Sequence, residues 1–139
     1  MPTFGASLVI SAKPDAVWVL VGDLTRHPEW SADALEVTAV GADRFTSRSN
    51  ARGRLFMATI QVLVSEPEKR IEFRVADESG VYRHRIDLAR QGGGTLVTRR
   101  VESEHLTPRQ RVVAAAALFT VRRPALHRSL ERLAEVAPD

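Results

Sequence analysis

Residues 70–103, RIEFRVADESGVYRHRIDLARQGGGTLVTRRVES, contain three runs in which apolar and polar side chains alternate. An alternation with a period of two is typical of β-strands that bury one face. The runs are separated by DESG and QGGG, which are rich in turn-forming residues and too short to hold a crossover helix. The sequence therefore predicts three antiparallel strands joined by two hairpins.

Treating DESG and QGGG as four-residue loops fixes which residues lie opposite each other. The apolar face then contains the pairs Val75–Tyr82, Phe73–His84, Ile71–Ile86, Ile86–Arg99, His84–Val101 and Leu88–Val97. On the other face the same register brings together the opposite charges Arg70–Asp87, Glu72–Arg85 and Arg83–Glu102. Two independent patterns support one register, and the outer arginines are predicted to be solvated and mostly paired with acids.

Further strands and a short helix are predicted before this region. A strand is expected over residues 5–12, and three more are expected between residues 34 and 64. Pro14 suits the first turn of a short helix after the first strand. The apolar face of that helix comprises Val17, Leu20, Val21 and Leu24.

A longer helix is predicted after the sheet. Residues 107–110, TPRQ, have the residue types of an N-cap, a first-turn proline and a capping box. The helix is expected to reach about Val136, with a kink near Val121 caused by Pro124. Its stripe for packing on the sheet is predicted to be Phe119, Leu126, Leu130 and Leu133.

Composition excludes several classes of protein. With 139 residues, the chain is expected to form a single domain over residues 1–139, as a monomer or a homodimer. It has no cysteine and no apolar run of membrane-spanning length, so we expect a cytoplasmic protein without a membrane span. The net charge of +3 gives no reason to expect nucleic-acid binding. No metal or other cofactor is expected, because the four histidines lie in different predicted elements.

Four segments carry a resemblance to a known superfamily: SAKPDAVWVLVGDLTRHPEWS, VLVSEPEKRIEF, GGTLVTRRVESE and RRPALHRSLERLAE. On these segments the chain resembles the START-like SRPBCC proteins, in the branch named for polyketide cyclase/dehydrase and lipid transport. The resemblance covers nearly the whole chain. It implies an α+β helix-grip fold, in which a curved antiparallel sheet of about seven strands wraps around a long C-terminal helix and two short helices follow the first strand.

The resemblance also implies a cavity between the sheet and the C-terminal helix, open beside the two short helices. In such proteins the segment DLTRHPEWS, residues 23–31, forms the second short helix and its turn, with Trp30 near the cavity mouth. Asp23 is then a candidate N-cap, and Pro28 is expected to hold His27 in an extended conformation. We therefore interpret this segment as architectural, with Trp30 as a candidate ligand contact.

The inward face of the sheet supplies the other candidate ligand-binding residues. Phe56 and Phe73 are predicted to line the cavity or, alternatively, to fill the core, and Phe119 is a candidate on the long helix. The fourth strand is expected to point Phe56, Ala58, Ile60, Val62 and Val64 inward.

Three polar residues on the same face are candidates for chemistry. His84 is predicted to be a mostly neutral imidazole able to act as a general base, or a core histidine whose hydrogen bonds are satisfied. Tyr82 is predicted to donate its hydroxyl to a ligand carbonyl, or to leave it in water. Arg99, where the resembling proteins often have an aromatic or aliphatic residue, is predicted to point inward and to hold an anionic group. The alternative is a strand shifted by one residue, which would turn Arg100 inward.

These residues support three hypotheses. The first is a protein that binds a hydrophobic or aromatic small molecule of the lipid or polyketide kind, with or without an anionic group. The second is an enzyme of the cyclase or dehydratase type, with His84 or Tyr82 moving protons and Arg99 holding an anion. The third is a protein- or RNA-interaction module that uses the arginines of the outer face.

Overall fold

A computed structural model describes residues 3–31, 34–51, 54–77, 80–104 and 123–137. Seven strands form one antiparallel sheet: β1 (Thr3–Ile10), β2 (Ala34–Ala39), β3 (Arg44–Ala51), β4 (Arg54–Glu66), β5 (Arg70–Asp77), β6 (Gly80–Gln91) and β7 (Gly94–Glu104). Their order in the sheet is β1-β7-β6-β5-β4-β3-β2. Helix α1 (Pro14–Val21) and a 3₁₀ helix (Leu24–Glu29) follow β1, and helix α2 (Arg123–Val136) lies at the C-terminal end.

The register predicted for the last two hairpins is confirmed at every pair. Phe73 lies opposite His84 on β5 and β6, and His84 lies opposite Val101 on β6 and β7. The pairs nearest the two turns are Asp77–Gly80 and Gln91–Gly94. These pairs belong to the register that was predicted by treating DESG and QGGG as four-residue loops. The sheet therefore has one face, called here the inward face, that collects the apolar residues of β5, β6 and β7.

The helices cover this inward face and complete the core. Val17, Leu20 and Val21 of α1 are buried, as the apolar stripe of the sequence predicts. Leu126, Leu130 and Leu133 of α2 are also buried, which confirms three positions of the predicted C-terminal stripe. Phe119, the predicted kink near Val121 and the predicted helix start at residues 107–110 lie outside the described residues.

A β-bulge in β4 corrects one prediction about the inward face. The pairing of β4 with β5 shifts between Val62, opposite Phe73, and Val64, opposite Glu72. Because side chains alternate between the two faces, one extra residue transfers Val64 to the row of the outward-facing Glu72. The prediction that Val64 points inward is therefore wrong, whereas Ile60 and Val62 keep the inward register.

The segment after α1 corrects a second prediction. Asp23 caps the 3₁₀ helix, because its Oδ1 accepts hydrogen bonds from Thr25 N at 3.0 Å and Thr25 Oγ1 at 2.6 Å. His27 lies inside that helix rather than in an extended conformation. The steric restriction that Pro28 imposes on the preceding residue is a preference, and the packing of the helix against the core outweighs it here.

Candidate ligand-binding site

The 3₁₀ helix presents one buried stripe with a period of three residues. Leu24, His27 and Trp30 are 2%, 5% and 0% exposed. A 3₁₀ helix has three residues per turn, so residues at this spacing lie on one face. His27 was not among the site residues predicted from sequence, although its spacing of three from Leu24 and Trp30 is the signal that places it on the buried stripe.

Two ring N–H groups of this stripe bind the C-terminal end of α1. Trp30 Nε1 donates a hydrogen bond to Leu20 O at 3.2 Å, and His27 Nε2 lies 2.8 Å from Val21 O. A carbonyl oxygen can only accept, so Nε2 of His27 carries the proton. The last carbonyls of a helix have no partner within it, and the two rings supply donors to them. These bonds fix the position of both rings beside the sheet.

The rings of His27 and Trp30 belong to a continuous cluster with residues of β5, β6 and β7. The His27 centroid lies 4.8 Å from that of Trp30 and 5.8 Å from that of Phe73. Phe73 stacks on His84 with centroids 4.9 Å apart and an interplanar angle of 11°. The guanidinium carbon of Arg99 lies 5.3 Å from the Trp30 ring centroid, a cation–π arrangement. We call Trp30, His27, Phe73, His84 and Arg99 the buried cluster.

Arg99 points inward, as the sequence register predicts. It lies opposite Ile86 on β6 and is 7% exposed, whereas the next residue, Arg100, is exposed. The alternative of a strand shifted by one residue is therefore wrong. Arg99 brings a cation into a face that is otherwise lined mostly by apolar and aromatic side chains.

Burial also changes the titration of His27. Loss of hydration is the largest cause that lowers the pKa of His27, which falls to about 4. The hydrogen bond to Val21 opposes this shift, and the positive charge of Arg99 adds to it. His27 is therefore neutral at pH 7, with Nδ1 as the ring nitrogen that carries the lone pair.

The remaining predicted site residues are placed as follows. Tyr82 is 2% exposed and lies opposite Val75 and Ser103, so it is a buried residue of the inward face. Phe56 of β4 pairs with Ser49 of β3. In the alternation along β4 it occupies a position equivalent to that of Ile60. Phe119 is outside the described residues. The structure thus brings Trp30, Phe73, His84 and Arg99 together, with Tyr82 two residues from His84 on the same strand face.

The outer face of the sheet is a network of ion pairs. Arg70 Nε contacts Asp87 Oδ1 at 2.9 Å, so this predicted cross-strand pair is an ion pair in the structure. Arg83 contacts Glu72 diagonally across two strands at 3.3 Å, and Arg85 contacts Asp87 along its own strand at 2.7 Å. Arg74 reaches across the intervening strand β6 to Glu104 at 2.9 Å. Most of the outer arginines therefore have acidic partners, as predicted.

The described ranges offer neither a metal-binding cluster nor a helix that could span a membrane. These ranges contain no group of three or more His, Asp or Glu side chains placed to hold a metal ion. None of their helices has the length and hydropathy that a bilayer span requires.

One family model matches nearly the whole chain, and solved structures share its fold. The family model "Polyketide cyclase / dehydrase and lipid transport" matches residues 1–138. A protein of Thermus thermophilus is similar in structure, with a TM-score of 0.79, 20% identity, and coverage of 96% of this chain and 95% of that one. A START superfamily protein of Mycobacterium smegmatis has a TM-score of 0.75 at 14% identity, with coverage of 96% and 97%.

A third similar structure is the Aha1 dimer of Colwellia psychrerythraea, with a TM-score of 0.65, 14% identity, and coverage of 99% of this chain and 96% of that chain. A search of curated proteins finds no significant match. At these identities the structural neighbours support the fold, and the family model supports membership. The seven-stranded sheet, the two short helices and the C-terminal helix, together with the match over residues 1–138, show that the chain belongs to the polyketide cyclase/dehydrase and lipid transport family, with a START-like helix-grip fold.

Proposed function

We propose that the protein binds a hydrophobic or aromatic small molecule of the lipid or polyketide kind, between the inward face of the sheet and the C-terminal helix. The observation that carries the proposal is the composition of the inward face. Tyr82, His84 and Arg99 are all less than a tenth exposed and lie among apolar side chains. A mostly apolar lining with a few convergent polar groups is typical of small-molecule sites.

The buried cluster would provide both affinity and orientation for such a ligand. Trp30 and Phe73 are large aromatic side chains of the buried cluster against which a ligand ring would pack. The imidazole of His84 and the guanidinium of Arg99 are groups that would orient a carbonyl, phenolate or carboxylate on the ligand. The paired arginines of the outer face favour this reading over an RNA- or protein-binding role, because their charges are largely compensated.

An enzyme of the cyclase or dehydratase type is the second candidate. It is favoured by the position of His84, which is buried against Phe73 on the same strand face as Tyr82. In that case His84 would take a proton from a carbon next to a ligand carbonyl, and Arg99 would stabilise the enolate. The enolate would then expel a hydroxyl group from the next carbon, and this hydroxyl would take back the proton held by His84, so that one water molecule is released.

Native mass spectrometry tests the proposal on protein purified from the organism that makes it. We expect a bound mass in a stoichiometric ratio to protein, which disappears after denaturing extraction. A protein that carries no mass and takes none from a lipid and aromatic extract of that organism would contradict the proposal. The same spectra distinguish a monomer from a homodimer.

The recovered compound then separates the two candidates. Incubation with fresh protein leaves both the mass and the chromatographic retention of the compound unchanged if the protein only binds it, whereas a cyclisation without loss of water would change the retention alone. Loss of the mass of water, abolished by His84→Ala, would favour the enzyme. Equal turnover by wild type and His84→Ala would remove His84 from the chemistry.

A further inference from the structure

Ser103 on β7 is a buried hydroxyl to which the proposed function assigns no role. It lies on the inward face, in alternation with Val97, Arg99 and Val101, and is 0% exposed. Among the described residues, its Oγ has no hydrogen-bond partner. Buried hydroxyl groups nearly always have a partner in the protein, in ordered water or in a ligand. Ser103 therefore has a donor and an acceptor available for a partner other than the described residues.

The surroundings of Ser103 give the hydroxyl no evident structural purpose. Tyr82 lies directly opposite on β6, and it forms a small apolar cluster with Val101 of β7 and Leu126 of α2. Alanine would fill nearly the same volume beside these side chains without leaving a polar atom unsatisfied. A serine at this position therefore adds hydrogen-bonding capacity rather than packing.

The position of Ser103 connects it with the candidate site. Residues directly opposite in an antiparallel pair have their side chains on one face and close together. Tyr82 and Ser103 are such a pair, and His84 follows Tyr82 by two residues on the same face. Three polar groups thus lie at adjacent positions of β6 and β7.

We propose that Ser103 contacts the ligand and hydrogen-bonds one of its oxygen atoms, so that the site selects oxygenated aromatic compounds, such as phenols and aryl ketones, over hydrocarbons of the same shape. This inference rests on the proposed function. A hydroxyl can donate to a ketone oxygen, and it can also accept from a phenol. A hydrocarbon leaves the buried Oγ without a partner, which is how a polar site rejects an analogue that lacks the matching group.

The test compares 2-naphthol with 2-methylnaphthalene, which differ by a hydroxyl in place of a methyl group. Dissociation constants for both are measured by calorimetry with wild type, Ser103→Ala and the control Ser47→Ala. Ser47 is also buried and lies in the inward row of β3. Wild type should prefer 2-naphthol, and Ser103→Ala should reduce that preference about fivefold, or about 1 kcal/mol, whereas Ser47→Ala should leave it unchanged.

The stability of the free protein provides the second readout. Because Ser103→Ala removes a buried hydroxyl that has no partner among the described residues, its melting temperature without ligand should equal or exceed that of wild type. A variant that is less stable, or fails to fold, would show a structural serine and overturn the inference. Equal binding of the two compounds to wild type would also overturn it, while leaving the proposed function intact. Binding of neither compound would overturn the inference, whereas the proposed function is contradicted only by failure of the mass-spectrometric test above.

Discussion

At the scale of single residues, His27 shows how a local pattern can hide a buried residue. Its sequence neighbours, Arg26 and Pro28, suggest a turn, and the predicted role of the segment was architectural. The ring is nonetheless buried between Trp30 and Phe73, with Nε2 bound to the end of α1. By contrast, Arg99 was predictable, because strand alternation and the two hairpin lengths place it inward without reference to its neighbours.

The lowered pKa of His27 predicts a loss of stability in acid. Between its ordinary pKa of 6.5 and the folded-state pKa of about 4, the unfolded chain binds more protons than the folded protein. The contribution of the neutral, buried His27 to the free energy of unfolding is therefore fully present above about pH 6.5, and it is lost as the pH falls towards 4. The variant His27→Gln keeps an N–H donor but does not titrate. Denaturant titrations should show that, between pH 7 and 4.5, its free energy of unfolding falls by about 2 kcal/mol less than that of wild type.

If His27→Gln matched wild type between the two pH values, the buried imidazole would not be the source of the acid sensitivity.

At the scale of elements, regular strands were predictable and irregularities were not. The pairs of β5, β6 and β7 follow from period-two alternation and hairpin length alone. The bulge in β4 could not be inferred, because the run RLFMATIQVLV is apolar at many positions and does not mark the inserted residue. The second short helix was expected from the resemblance, but the inclusion of His27 in it was not, because a proline favours an extended conformation in the preceding residue.

The loop between β6 and β7 gives a prediction at this scale. Gly94, the first residue of β7, approaches β1 so closely that a Cβ atom would overlap the carbonyl oxygen of Ile10, whereas a Cβ on Gly93 would have no neighbour within 4 Å. Backbone at Ile10 cannot move without disturbing the pairing of β1 with β7. Gly94→Ala should therefore cost about 2 to 3 kcal/mol in the free energy of unfolding, by the usual range for overpacking.

Gly93→Ala is the matched control within the same loop. Equilibrium denaturation should show that Gly93→Ala changes the free energy of unfolding much less than Gly94→Ala does, because the added methyl group enters open space. Equal losses in the two variants would show that the loop responds to the loss of glycine flexibility and not to contact with β1.

At the scale of the whole molecule, the two faces of one sheet have different roles. The outer face is a network of compensated charges, in which Arg74 reaches from β5 to Glu104 on β7. The inward face carries the core and the buried cluster. The sequence predicts this division because each face is read from alternate residues, and the apolar stripe of the C-terminal helix predicts that this helix packs on the sheet. The wrapping of the sheet around that helix followed from resemblance to a family rather than from periodicity.

The most direct test of the central claim, that the inward face binds the ligand, is an NMR titration with 2-naphthol. The reporters are the aromatic signals of Phe73, Tyr82 and His84 for the inward face, and the Met57 methyl and Arg85 Nε–H signals for the outer face. We predict saturable shifts of the three inward reporters with one dissociation constant, and unchanged outer reporters. Shifts confined to Met57 and Arg85, or no shift at any reporter, would contradict a ligand site on the inward face.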